Sequence, residues 1–210
     1  MSEAILYIRE NTDFYVTSIG QHLLMSFVTI MISMLIGIPL GYWCGKSEKV
    51  SSAIVTIVNT FRIIPAIAIF LMLIPIMGIG FAPSIVALTV YAVPVILMNT
   101  MGGIKNVKPS VIESAVGMGM GKTDICFKVE LPLALPFILT GVKIAIVETV
   151  AGASIAAFVG GGGLGAIVYM GILSGKTGPL VAGSATIALL VIMIDMIATA
   201  TQRLLVRDYK

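Results

Sequence analysis

Between Arg62 and Lys105 there is no charged residue for 42 positions, residues 63–104. A helix needs about 20 apolar residues to cross the hydrocarbon of a bilayer, so this run has room for two crossings. The stretch Gly78-Ile79-Gly80-Phe81-Ala82-Pro83 breaks it near the middle, where glycine and proline favour a turn. The rest of the chain agrees: 58% of its residues are apolar and 11% charged, with a mean hydropathy of +1.08. A soluble domain carries roughly 25% charged residues. The expected fold is therefore all-α and integral to the membrane, with five spans at about 20–45, 52–77, 83–101, 133–158 and 180–204, and one domain over 1–210.

Basic loops tend to stay on the cytoplasmic side. Lys46 and Lys49 mark the first loop, Lys105, Lys108, Lys122 and Lys128 the third, and Arg203, Arg207 and Lys210 the C-terminus. The segment before the first span is net acidic, and the second and fourth loops carry Lys176 as their only charge. The N-terminus is expected outside and the C-terminus inside, in a multi-pass protein of the cell membrane. The mixed segment 3–18 suits a short helix in the headgroup region before the chain turns inward. Its acidic residues lack the basic head of a cleavable signal peptide.

Several function classes are disfavoured. The net charge of +3 comes from scattered residues rather than one basic face, so nucleic acid is not an expected partner. Two distant cysteines, Cys44 and Cys126, and one histidine, His22, give no metal-ligand set. Gly117 to Thr123 imitates a phosphate-binding loop but is one residue short between its framing glycines. Gly160, Gly162 and Gly165 fit GxGxxG, yet no acidic residue lies between Glu148 and Asp195 to hold a ribose. That stretch is expected to be a backbone break after the fourth span, with a short surface or re-entrant helix over 166–173. No internal repeat of the kind found in many secondary transporters is visible.

The longest polar segment, 105–132, is expected to form two short helices across the inner membrane face. Ser110-x-x-Glu113 after Pro109 has the form of a capping box, Gly119 or Gly121 allows a turn, Thr123 can cap a second helix, and Pro132 meets the next span. Within this segment stand Glu113-Ser114-Ala115, three residues, Gly119, nine residues, and Val129-Glu130-Leu131-Pro132. This spacing resembles the E-A-A-x3-G-x9-I-x-L-P loop of binding-protein-dependent ABC importer permeases, with Ser114 and Val129 as small departures. Arg62-Ile-Ile-Pro65-Ala66-Ile-Ala68 and the run 157–165 resemble the osmoprotectant branch of that family.

The resemblance implies a type I importer architecture in which Glu113, Ser114, Ala115, Gly119, Val129, Leu131 and Pro132 belong to a loop that docks on a cytoplasmic ATPase subunit. It implies that ATP is bound by that partner and that this chain is not an enzyme and carries no cofactor. It also implies a second permease subunit, identical or paralogous, an extracytoplasmic substrate-binding protein, and transport of quaternary amines such as glycine betaine, carnitine or choline by alternating access. An amino-acid permease, and more remotely a secondary transporter, are the competing expectations.

Four charges fall inside the expected spans: Arg62, Lys143, Glu148 and Asp195. A lone charge at the bilayer centre costs at least about 2.5 kcal/mol. Arg62 and Glu148 are expected at the pathway or its gate, with Lys143 and Asp195 as a structural pair; packing ion pairs are the alternative for all four. Gly37, Gly41, Gly141, Ala145, Gly152 and Ala156 are expected on faces where helices approach closely.

Overall fold

The computed structural model describes residues 2–206, so Arg207 and Lys210 of the basic C-terminus lie outside the described residues. The described residues are almost all helical, and no strand occurs among them. Four helices are long and apolar enough to cross a membrane, and a fifth crossing is reached if one bent pair counts as a single span.

The chain opens with α1 (Ser2–Glu10), which packs on the last helix. After a break at Asn11 it enters α2 (Thr12–Lys46), 35 residues long. The expected headgroup helix over 3–18 is thus split. Residues from Thr12 onward belong to the first long helix, where several polar side chains are buried against the bundle, the hydroxyls of Thr29 and Ser33 without a hydrogen-bond partner among the described residues. Ser18, His22, Ser26, Thr29 and Ser33 are all buried, and the Tyr15 hydroxyl donates to the carbonyl of Ala182 at 3.3 Å.

The segment expected as one span over 52–77 is bent. Helix α3 (Glu48–Ile63) and α4 (Ala66–Met77) meet at an angle of 98° across Ile64 and Pro65. Pro65 has no N–H and its ring crowds the preceding turn, and it also holds Ile64 out of the helical region. The break is not buried within the chain, since Ile63 is 81% exposed, Pro65 exposed and Ile64 half-buried, and an interruption at membrane depth needs partners for the polar groups it frees. The freed carbonyl of Ile64 accepts a hydrogen bond from the hydroxyl of Tyr91.

Helix α5 (Phe81–Lys105) is the central element and packs most extensively on α2 and on α8 (Leu131–Gly152). Small residues allow this. A Cβ on Gly41 would stand 2.6 Å from the Leu97 carbonyl oxygen and from Thr100 Cβ, and one on Gly141 would stand 2.5 Å from Asn99 Cβ. Where helices touch at backbone distance, dispersion contacts replace the hydrophobic driving force that lipid cannot supply. Beyond α8 a tight 3-10 turn (Ala153–Val159) leads to glycines 160–163, whose backbone is held by α2: Gly163 N–H donates to Gln21 Oε1 at 3.2 Å. Then come α9 (Leu164–Ser174) and α10 (Thr177–Val206). Helix α10 leaves Leu189, Ile192, Met196 and Ile197 more than half exposed, as expected of a lipid-facing helix.

Candidate functional site

Two regions hold the residues singled out by the sequence. The first is the loop between α5 and α8. Helix α6 (Pro109–Gly117) starts with Pro109 in its first turn and no side-chain cap, so the capping box expected of Ser110 and Glu113 does not form. Ser114 Oγ instead donates back to the Ser110 carbonyl at 2.8 Å. The end of α6 explains the spacing of the motif. Met120 N–H donates to Ala115 O at 3.1 Å and Gly119 N–H to Val116 O at 2.9 Å, while Gly119 has φ +79°. This is a Schellman termination, in which the residue after the cap must be left-handed. Three residues between Ala115 and Gly119 are what that geometry requires.

The second half of the loop differs from expectation. Thr123 does not cap a separate helix; Gly121 stands at that position without a side-chain bond. The four-residue α7 (Lys122–Ile125) runs through a π turn (Cys126–Glu130) directly into α8. Pro132 lies in the first turn of α8. Its ring would clash with the carbonyl four residues back in a regular helix, and widening the preceding turn relieves that clash.

Within this loop Ala115 is buried, whereas Glu113, Ser114 and Gly119 are exposed and Val129, Leu131 and Pro132 half-buried. Around them lies apolar surface with no cover among the described residues: Val116 is 58% exposed, Met118 75% and Phe127 66%. Such a patch rimmed by lysines marks an interaction surface.

One contact here was missed by the sequence reading. Glu130, the variable position of the Val-x-Leu-Pro segment, is 1% exposed. It forms an ion pair with Lys46 and accepts a hydrogen bond from Tyr42 Oη at 2.7 Å. Lys46 and Tyr42 are one turn apart on α2, so they reach the same carboxylate. The available signal was a carboxylate at the mouth of an apolar run with a basic residue closing the first span.

The second region is intramembrane. Arg62 does not sit midway along a straight span; it lies in the last turn of α3, at the bend. It lines a cleft of about 360 Å³ together with Ala66, Phe70, Tyr91 and Glu148. Arg62 and Glu148 are both exposed within the single chain. Leading to the bend, α3 presents Ser52, Thr56, Asn59 and Thr60 as an exposed polar stripe, another feature the sequence reading passed over. The hydroxyls of Thr56 and Thr60 donate to the carbonyls one turn earlier, at 2.8 and 2.9 Å, which satisfies them without water. Away from this cleft, Lys143 Nζ lies 3.2 Å from Asp195 Oδ1 and links α8 to α10.

Residues 37–210 match the protein family described as binding-protein-dependent transport system inner membrane component. The chain is 32% identical over 203 residues to the glycine betaine/carnitine/choline transport system permease protein OpuCB of Bacillus subtilis (strain 168), covering 97% of this chain and 94% of the relative. It is also 32% identical to the carnitine transport permease protein OpuCD of Listeria monocytogenes, covering 98% and 92%. Among solved structures, a chain of the inward-facing MetNI methionine ABC transporter superposes with a TM-score of 0.85 at 28% identity, covering 92% of this chain and 97% of that one.

Proposed function

The chain belongs to the binding-protein-dependent transport system inner membrane components, with the all-α, multi-pass membrane architecture of a type I ABC importer permease, and from that membership we propose that it carries quaternary-amine osmoprotectants (glycine betaine, carnitine or choline) into the cell. The loop bearing Glu113 to Pro132 faces the cytoplasm, with the N-terminus outside. Helix α6 docks in a cleft of a separate ATPase subunit, which binds and hydrolyses the ATP. A second permease subunit completes the pathway, and an extracytoplasmic binding protein delivers the solute.

The observation that carries this reading is the α6 termination. Its Schellman turn at Gly119 fixes a rigid, lysine-rimmed projection with Glu113, Val116 and Met118 outward. A rigid projection can transmit a push, which a floppy loop cannot. The substrate class is supported by the names of the relatives. Alternating access follows if ATP-driven approach of two ATPase subunits moves two such projections together and tilts the helices that bear them.

The test is uptake of labelled glycine betaine by cells lacking and then regaining this chain. Restoration by the wild type and failure of restoration by Glu113→Ala, with both proteins present in the membrane, is the expected result. A second reading, an amino-acid permease, is favoured by the likeness to the methionine transporter chain. It would be adopted if labelled methionine were taken up and glycine betaine were not.

A further inference from the structure

Arg62 and Glu148 share one cleft without closing on each other. The contrast with the other charged groups of the bundle is informative: Lys143 pairs with Asp195 and Lys46 with Glu130, while neither Arg62 nor Glu148 makes an ion pair among the described residues. Opposite charges placed at membrane depth for packing alone gain by pairing. Holding them apart makes sense when something with two charges comes between.

We infer that this cleft is a transit site for a zwitterion, a small solute bearing a carboxylate at one end and a quaternary ammonium at the other. The Arg62 guanidinium takes the carboxylate, for which its planar fork is suited. Glu148 offers the counter-charge for the ammonium, and the half-buried ring of Tyr91 in the same cleft wall suits its methyl groups through cation–π attraction. The Tyr91 hydroxyl is engaged by the Ile64 carbonyl, so it helps hold the corner from which Arg62 projects. The volume, about 360 Å³, falls at the lower end of the range of small-ligand pockets. A solute with only the ammonium, such as choline, would leave Arg62 unmatched. This inference rests on the osmoprotectant reading and narrows it, favouring betaine-type solutes over purely cationic ones.

The test uses the permease–ATPase complex in nanodiscs, without binding protein, and follows modification of Glu148 by a water-soluble carbodiimide, read by mass spectrometry. Glycine betaine should protect Glu148 at a concentration about tenfold lower than choline, the scale of one charge-assisted hydrogen bond. Arg62→Gln should remove that difference and Arg62→Lys should retain most of it. Equal protection by choline and glycine betaine in the wild type would overturn the inference, and that comparison needs no variant to fold. An unchanged difference in Arg62→Gln would overturn it as well. Failure of the wild-type transporter, complete with its binding protein, to take up glycine betaine on ATP would instead refute the osmoprotectant reading itself.

Discussion

Glu130, closing the π turn, and Lys46, ending α2, form an ion pair in which the glutamate side chain is 2% exposed and the lysine 42%. The asymmetry sets the expected effect of mutation. Lys46→Ala strands a buried carboxylate with only the Tyr42 hydroxyl for company, whereas Glu130→Ala frees a lysine that already reaches solvent. Breaking a buried pair from the side that leaves the charge behind destabilises by about 3 kcal/mol, less here to the extent that water screens the lysine. Thermal unfolding in detergent should show Lys46→Ala as the more destabilised variant. Equal losses would contradict the asymmetry of the pair.

Lys143 and Asp195 join α8 to α10, and the buried residues of α10, Gly178, Pro179, Ala182 and Gly183, all lie near its start. Asp195→Asn alone should lower the yield of assembled protein in the membrane, and Lys143→Gln added to it should recover part of that yield, because the double variant leaves no unmatched charge at depth. Absence of any recovery would show that the two residues act independently.

The α2–α5 contact gives a pair of opposite expectations for the same substitution. Gly41→Ala would drive a methyl group to 2.6 Å from backbone and side-chain atoms of α5, while the Cβ position of Gly102 has nothing within 4 Å. Gly41→Ala should therefore destabilise by about 1–3 kcal/mol. Gly102→Ala should be neutral or stabilising by up to about 1 kcal/mol, since alanine restricts the unfolded chain in a helical position. Chemical denaturation in mixed micelles measures both.

Gly119 tests the loop geometry apart from its contacts. A Cβ there meets open space, yet the residue has φ +79°. Gly119→Ala should cost about 1 kcal/mol through backbone strain alone, leaving the helices of the membrane bundle intact. ATP-driven uptake should fall while protein level is maintained. Uptake at the wild-type rate would show that the orientation of α6 is not critical.

Some of this was open to the sequence and some was not. Charge-free runs pointed to membrane helices because hydrocarbon excludes charge strongly, and the spacing from Glu113 to Pro132 was legible as a resemblance to a family loop, of which the Schellman turn accounts physically for the Ala115–Gly119 part. The bend at Pro65 was not read as a break, since nothing in the apolar residues around it shows that Tyr91, 27 positions away, caps the freed carbonyl. The extension of α2 back to Thr12 was hidden for a similar reason: Tyr15 and Ser18 stand near charged residues in the sequence, and their burial shows only in the folded chain. His22 Nε2 donates to Val150 O at 2.9 Å, a contact set by tertiary structure. Glu130 was overlooked because its partners come from another helix.

The proposed import of quaternary amines by this chain runs on ATP through a separate ATPase that grips α6. Its most direct measurement is uptake of labelled glycine betaine into liposomes containing this chain, its candidate ATPase and its binding protein, with ATP enclosed or omitted and Glu113→Ala in parallel. Accumulation should need ATP and be strongly reduced in Glu113→Ala. Accumulation that proceeds without ATP, driven by an ion gradient, would contradict it.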